Sequence, residues 1–416
     1  MPLDSLWFAP TSLFANEIAV RGSSKWTVVE LRDSDGVTGL AEVTHPESEA
    51  VVRAVAWLGR KVRGERVRSD SDLFDRLGIV TSTLSEDFVL ATAVSGLRSA
   101  FADALARRAE LPLNRYLMLA VGSERRATAP SVALYANINR SMLPHRNVGP
   151  GTPNTSSAAD RSSDAFAEVT KRAVAAGFKS VKCAPFDECR APFNSVGLPE
   201  KANTGLDRVR AVIDAAGPDV RVLVDCHSRF DENSAIAVAQ ELRSAGVSWV
   251  EEPVDPIAHS SVMRRVRDAL ATSGGSLPVQ VAGGEGGYGF GAFDSLIGDG
   301  SVDVVMPDVK HCGGASEAFA IGRNLEARQA RSVSMHSPSG PVSLLTSAHV
   351  TAAFAAGLGH DVLPLEHAVY EIDWRSTVLE PAERIESGAI WLPGDHGIGA
   401  SLDPSTVRSR GRRWEP

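Results

Sequence analysis

The feature that most constrains this chain is a rhythm that begins near residue 131. Short apolar runs (SVALYANI, KSVKC, RVLVDC, VSWVEE, VQVAGG, VDVVMPD, RSVSMH and VLPLE) alternate with amphipathic stretches such as DAFAEVTKRAVAAG, ENSAIAVAQELRSAG and GASEAFAIGRNLEARQ. Parallel strands buried on both faces read as continuous apolar runs, and their crossovers are helices. Eight such runs within about 240 residues fit a closed β/α barrel, usually about 250 residues, better than an open doubly wound sheet. The fold class is therefore α/β, with a TIM-like barrel over residues 129–370. Residues 1–128 read as a separate α+β domain. Within it, WTVVELRDSDGVTGLAEV predicts two strands around a turn at Asp35-Gly36, and helical spacing follows in ESEAVVRAVAWLGRKV and DFVLATAVSGLRSAFADALARRAE. Residues 371–416 are expected to return to that domain. Two loops, 140–163 and 184–203, follow the first two barrel strands and would lie over its C-terminal face, as mobile insertions or as substrate covers.

Composition narrows the function. Lys and Arg total 43 against 51 Asp and Glu, a net charge of −8; this argues against nucleic-acid binding, which needs a basic footprint. No apolar run is read as approaching the ~20 residues of a membrane span. The start, MPLDSLWFAP, lacks the basic and apolar regions of a secretion signal. Four cysteines are too few for a disulfide framework, and a cytoplasmic location is expected.

Barrel chemistry sits at the C-terminal strand ends. The third strand ends in Asp225, the fourth in Glu251 and the fifth in Glu285. Three carboxylates around one mouth repel unless a cation holds them, and oxygen-only ligands select a hard ion such as Mg²⁺; as single residues they would read as helix caps. Strand alternation in VDCHSR puts Asp225 and His227 on one face and turns Cys226 away. Cys226 and Cys183 read as buried small hydrophobes, since no paired C-x-x-C spacing exists. The sixth strand ends in Asp308, the seventh in His336 and the eighth in Glu366. On adjacent strands Asp308 can orient His336 and support its protonated form, which makes it a competent general base. Gly284, Gly286 and Gly289 match G-x-G-x-x-G, but Glu285 inside that turn would oppose a pyrophosphate, and the match is read as chance.

The ordered motifs VKC, VDCH, WVEEP, AGGE, MPDVKHCGG, MHSPSGP and PLE resemble the enolase superfamily, mandelate racemase subgroup. The resemblance implies a (β/α)7β barrel with an N-terminal α+β capping domain completed by the C-terminal tail. It also implies Mg²⁺ on Asp225, Glu251 and Glu285, a His336–Asp308 base, and Glu366 hydrogen-bonded to a substrate carboxylate. Racemizing members carry K-x-K at the second strand end. Lys182-Cys183-Ala184 stands there, so the second base is missing, while Lys182 can add positive potential. The D-x-H of Asp225 and His227 is similar to that of acid-sugar dehydratases of the galactonate and mannonate type, where the histidine helps a hydroxyl leave. The implied partner is a small-molecule carboxylate, an acid sugar, with a homo-oligomer (dimer or octamer) and no nucleic acid or membrane. In that scheme a protonated Glu366 would donate to the substrate. Lys310 is left without a role, and His311 reads as structural. An epimerase, a cycloisomerase, another β-elimination enzyme or a non-catalytic metal-binding relative stays open. Specificity is expected from the two long barrel loops and from capping-domain loops near 10–25 and 44–50.

Overall fold

The computed structural model describes residues 3–20, 24–125, 130–142, 145–146, 156–157, 160–193, 197–272 and 279–415. Most of the 140–163 loop, and residues 194–196 of the second, lie outside these, so the covering role assigned to them is not addressed.

The first unit is a meander of β1 (Pro10–Ala19), β2 (Lys25–Asp33) and β3 (Thr38–Glu42). The β2–β3 turn forms where Asp35-Gly36 predicts it. Gly36 takes φ +83°, where a side chain would be strained, and the Asp33 carboxylate accepts the amides of Asp35 and Val37. Residues 10–19, expected as a loop, are strand, because PTSLFANEIA pairs along its length with β2. Helices α1 (Ser48–Val62), α2 (Asp70–Leu77), α3 (Thr81–Glu86), α4 (Phe88–Arg108) and α5 (Leu113–Ala120) follow. Contrary to the sequence expectation, α4 is long and apolar enough to cross a bilayer by length and composition; most of it is buried against β3, α1 and the barrel, as a core helix is.

The barrel strands are β4 (Ser131–Asn137), β5 (Ser180–Cys183), β6 (Arg221–Asp225), β7 (Trp249–Glu251), β8 (Gln280–Gly283) and β9 (Val304–Val305), paired parallel in that order. The seventh run, RSVSMH, joins β9 through one bridge at Val333. The eighth, β10 (Leu365–Ala368), pairs parallel with β4 and closes the ring. Helices α6 (Ser163–Ala175), α7 (Ala202–Ala216), α8 (Glu232–Ala245), α9 (Ser260–Thr272), α10 (Gly289–Gly298), α11 (Gly314–Arg328) and α12 (Pro341–Ala355) form the crossovers. No helix separates β10 from β4 in space, and the fold is a (β/α)7β barrel. Inside it Tyr135, Leu223, Trp249, Ala282, Val304, Met306 and Leu363 fill the axis as a separate apolar cluster.

The tail divides between the two units. The hairpin of β11 (Arg384–Glu386) and β12 (Ala389–Trp391) pairs antiparallel with the start of β4. Beyond it, β13 (Gly411–Trp414) pairs antiparallel with β1. The units are also joined by buried polar contacts. Glu42 at the end of β3 accepts the amides of Gly340 and Ser343 at the start of α12, and the hydroxyls of Ser95 and Ser99 on α4 accept those of Gly313 and Ala315.

Candidate active site

Adjacent parallel strands in register bring their last residues together. Asp225 of β6 stands opposite Glu251 of β7, and both are almost fully buried. Lys182 on β5 is entirely buried beside them. Its Nζ donates to Glu251 Oε1 at 2.7 Å, lies 2.7 Å from Glu366 Oε1 and is 3.7 Å from Asp225 Oδ2. Burial alone would lower the ammonium's pKa, but Glu251 and Glu366 hold it well above its ordinary value. Burial, then the charge of Asp225, pushes Glu251 well above the usual carboxylate range.

His227 reaches this group by a different route from the expected one. The strand ends at Asp225, and His227 takes a left-handed backbone, φ +48°. Its amide donates to Asp225 Oδ1 at 2.9 Å, and its Nε2 lies 3.0 Å from Asp225 Oδ2. A tight turn therefore returns the ring to Asp225. Its Nδ1 pairs with Asp187 Oδ1 at 2.8 Å. The charge of Asp225 outweighs burial and raises the imidazole to about 11, so it stands protonated. Asp225 is held low: burial works against this, and His227 and Lys182 win.

On the other side of the mouth, His336 Nδ1 meets Asp308 Oδ2 at 2.8 Å, and its Nε2 meets Glu285 Oε2 at 2.8 Å. Burial disfavours the imidazolium, but Glu285 and Glu366 raise the ring well above 6.5. Asp308, fully buried, also takes the amide and the Nζ of Lys310. Those charges overcome its burial and keep it ionised. Glu366 departs from the expected donor. Its Oε1 accepts from Asn137 Nδ2 at 2.7 Å and its Oε2 from the Ser337 amide at 3.0 Å. Against the effect of burial, Lys182 and His336 lower its pKa, so it stands as a carboxylate.

The candidate residues thus form two groups, Lys182–Asp225–Glu251–Glu366–His227 and His336–Asp308–Glu285, which meet where His336 Nε2 lies 3.7 Å from Glu366 Oε2. Asn137 and Asp187 were missed by the sequence reading. Asn137 closes the first strand, where the strand-end logic could have found it; Asp187 lies in an irregular loop with no spacing signal. Asp225, Glu251 and Glu366 gather around Lys182 Nζ, whereas Glu285 is held by His336. Among the described residues no three His, Cys, Asp or Glu side chains are grouped to hold an ion, because Lys182 lies among one set and His336 holds Glu285. The donor set nonetheless suits a hard cation. It is all oxygen, and Glu251 Oε2 is buried with no hydrogen-bond partner. Cys183 and Cys226 are buried free thiols, as expected. A cavity of about 660 Å³ runs from Glu285 and His336 to Lys25, Thr44 and His45 of the first unit.

A barrel with titratable groups converging on its C-terminal mouth under an N-terminal cap defines the class. The chain belongs to the enolase superfamily: residues 165–406 match the family described as enolase C-terminal domain-like. It is 26% identical over 396 residues to a D-gluconate dehydratase of Thermoproteus tenax, covering 95% of this chain and 71% of that protein. It is 31% identical over 201 residues to a D-xylonate dehydratase of Haloferax volcanii, covering 48% and 45%. The chain thus spans less than half of the second relative's length. A solved mandelate racemase/muconate lactonizing enzyme-like protein from Rubrobacter xylanophilus superposes with a TM-score of 0.79, over 97% of this chain and 98% of that one, at 24% identity. That likeness speaks to the fold.

Proposed function

We propose that this protein is a Mg²⁺-dependent dehydratase of an acid sugar, converting it to a 2-keto-3-deoxy acid. The observation that carries the reading is the placing of two carboxylate-supported histidines at strand positions three and seven. These are four apart in an eight-stranded ring and hence on opposite sides of the mouth. A β-elimination needs this arrangement: one group to take a proton and another to deliver one to the departing hydroxyl. His227, held protonated by Asp225 and Asp187, is the acid. His336, oriented through Nδ1 by Asp308, takes the C2 proton at Nε2 once Glu285 no longer holds that nitrogen and the ring has released its extra proton to solvent.

Asp225, Glu251 and Glu285 would hold the cation. When bound, Mg²⁺ supplies the positive charge that offsets the second negative charge developing on the substrate carboxylate. Lys182 adds a fixed ammonium in a site shielded from water, where its field is little screened. Glu366, ionised, positions Lys182 and Asn137. Ala184 at the second strand end offers no second base, which favours elimination over racemization. The relatives named for gluconate and xylonate dehydration support the substrate class.

Incubation with a panel of mono- and diacid sugars, with and without Mg²⁺ and in deuterated water, tests the proposal. Expected is 2-keto acid formation that requires the cation. Deuterium exchange without loss of hydroxyl would indicate an isomerase. The absence of both would remove the assignment.

A further inference from the structure

The two histidines of the reaction above are not held alike. His227 lies beyond the end of β6 in a left-handed turn, and its side chain is 37% exposed against 13% for His336. Packing cannot fix a ring so open, and its orientation rests on two polar ties, Nε2 on Asp225 and Nδ1 on Asp187 Oδ1. Asp225 is set by its strand. Asp187 stands in a turn over residues 185–188, with no strand ladder to hold it. Whatever fixes that carboxylate decides where the acid points.

Arg161, just before α6, holds it. The guanidinium reaches three groups after β5: Nη2 donates to the Ala184 carbonyl at 2.7 Å, Nε donates to Glu188 Oε1 at 3.3 Å, and Nη1 lies 3.2 Å from Asp187 Oδ2. The planar fork of an arginine suits such a grip, which a point charge cannot reproduce. Arg161 is itself anchored. Its carbonyl accepts Arg208 Nε at 2.7 Å, and Arg208 forks onto Glu188 with contacts of 2.7 and 2.9 Å. The two oxygens of Asp187 are thereby divided, Oδ2 to Arg161 and Oδ1 to His227. A competitor stands close. Arg229 Nη2 is 3.9 Å from that same Oδ1, and Arg229 Nε is buried with no hydrogen-bond partner. A buried donor without an acceptor has much to gain from a carboxylate turned toward it.

We propose that Arg161 is a positioning residue for the acid: by holding Oδ2 of Asp187 it keeps Oδ1 on His227 and away from Arg229. The inference rests on the dehydratase reading, in which His227 protonates the departing hydroxyl, and it names the group that aims that proton. Arg161 acts through Asp187. Without it the other side of the mouth, His336 on Asp308, keeps its own tie. Removal of the C2 proton is then spared, and the departure of the hydroxyl suffers.

The test uses Arg161→Met, Arg161→Lys and Asp187→Ala, with Mg²⁺, on D-gluconate, D-galactonate and D-xylonate and on their 3-deoxy-3-fluoro analogues. With an analogue His336 takes the C2 proton, the C2–H electron pair forms the C2–C3 double bond, and the C3–F pair leaves with fluoride. Fluoride is too weak a base to need a proton. Expected in Arg161→Met is a fall of roughly 10–100-fold in kcat for dehydration, the range for a misplaced catalytic group, with fluoride release near wild type. Arg161→Lys should recover part of the loss, and in an Asp187→Ala background Arg161→Met should add nothing further. The crystal structure of Arg161→Met should show Asp187 on Arg229 and gone from His227 Nδ1. Dehydration and fluoride release that fall together would reduce Arg161 to a structural part and overturn the inference. So would undiminished dehydration, or a carboxylate that stays on His227. A wild type that converts none of the acids or analogues would sink the proposed reaction, and the crystal structure would still decide whether Arg161 places Asp187.

Discussion

Single side chains carry the chemistry, and each has a test. Replacing His336 or His227 by Asn keeps the ring's approximate volume but removes the proton carrier. Activity on whichever acid sugar is turned over should fall by about 10²–10⁴-fold, the usual share of one acid–base group, with the circular dichroism of a folded protein retained. Full turnover in either variant would exclude that residue. Lys182 makes a different prediction. Its ammonium separates Asp225, Glu251 and Glu366, all buried. Lys182→Met leaves those carboxylates facing one another, and removing one partner of a buried ionic group typically costs about 3–5 kcal/mol. Urea unfolding of the metal-free variant should show a loss of that order, and Mg²⁺ should recover more stability in the variant than in wild type. Equal responses to Mg²⁺ would place the cation elsewhere.

At the scale of elements, α12 binds its surroundings through a buried histidine. His349 Nε2 lies 3.3 Å from the Ile398 carbonyl and Nδ1 3.4 Å from the Asn114 amide, and burial lowers the ring to about 4. The unfolded chain takes up this proton near pH 6.5, and the native state resists it until about pH 4. The contribution is therefore intact above pH 6.5 and erodes as pH falls through that window, by up to about 1.4 kcal/mol per pH unit. Urea midpoints measured from pH 7 to 4 should fall less steeply in His349→Gln than in wild type. The elements themselves were largely legible: seven of the apolar runs became paired strands, because burial on both faces leaves a periodicity that one sequence displays. The seventh, RSVSMH, holds its place through a single bridge and loop hydrogen bonds, which no local pattern encodes. At the site, the strand-end positions of Asp308 and His336 sufficed to anticipate their pairing. The sequence did not disclose that His227 returns to Asp225 through a left-handed turn, that Asp187 supports it from a loop, or that Glu366 is ionised. Each depends on backbone turns or on charges brought together from distant strands.

For the whole molecule, the cap and barrel are joined by groups that neither can satisfy alone. Glu42 caps α12 and Arg98 on α4 bridges Asp70 and Glu317, while Asp103 ties β3 to the tail by accepting the amides of Leu40 and Ile398. Buried groups left without these partners would each cost about 1–3 kcal/mol. Scanning calorimetry should therefore show one transition whose van't Hoff and calorimetric enthalpies agree, and Glu42→Ala should lower its midpoint without splitting it. Two resolved transitions would mean that the cap unfolds alone. The pairing of β1 with β13 has a further consequence during synthesis. On the ribosome, β1 is followed by about four hundred residues before its outer neighbour is made, a wait of roughly 20–80 s at ~5–20 residues per second. Through that interval β1 lacks its outer neighbour, and an open strand edge of this kind is a template for pairing with other chains.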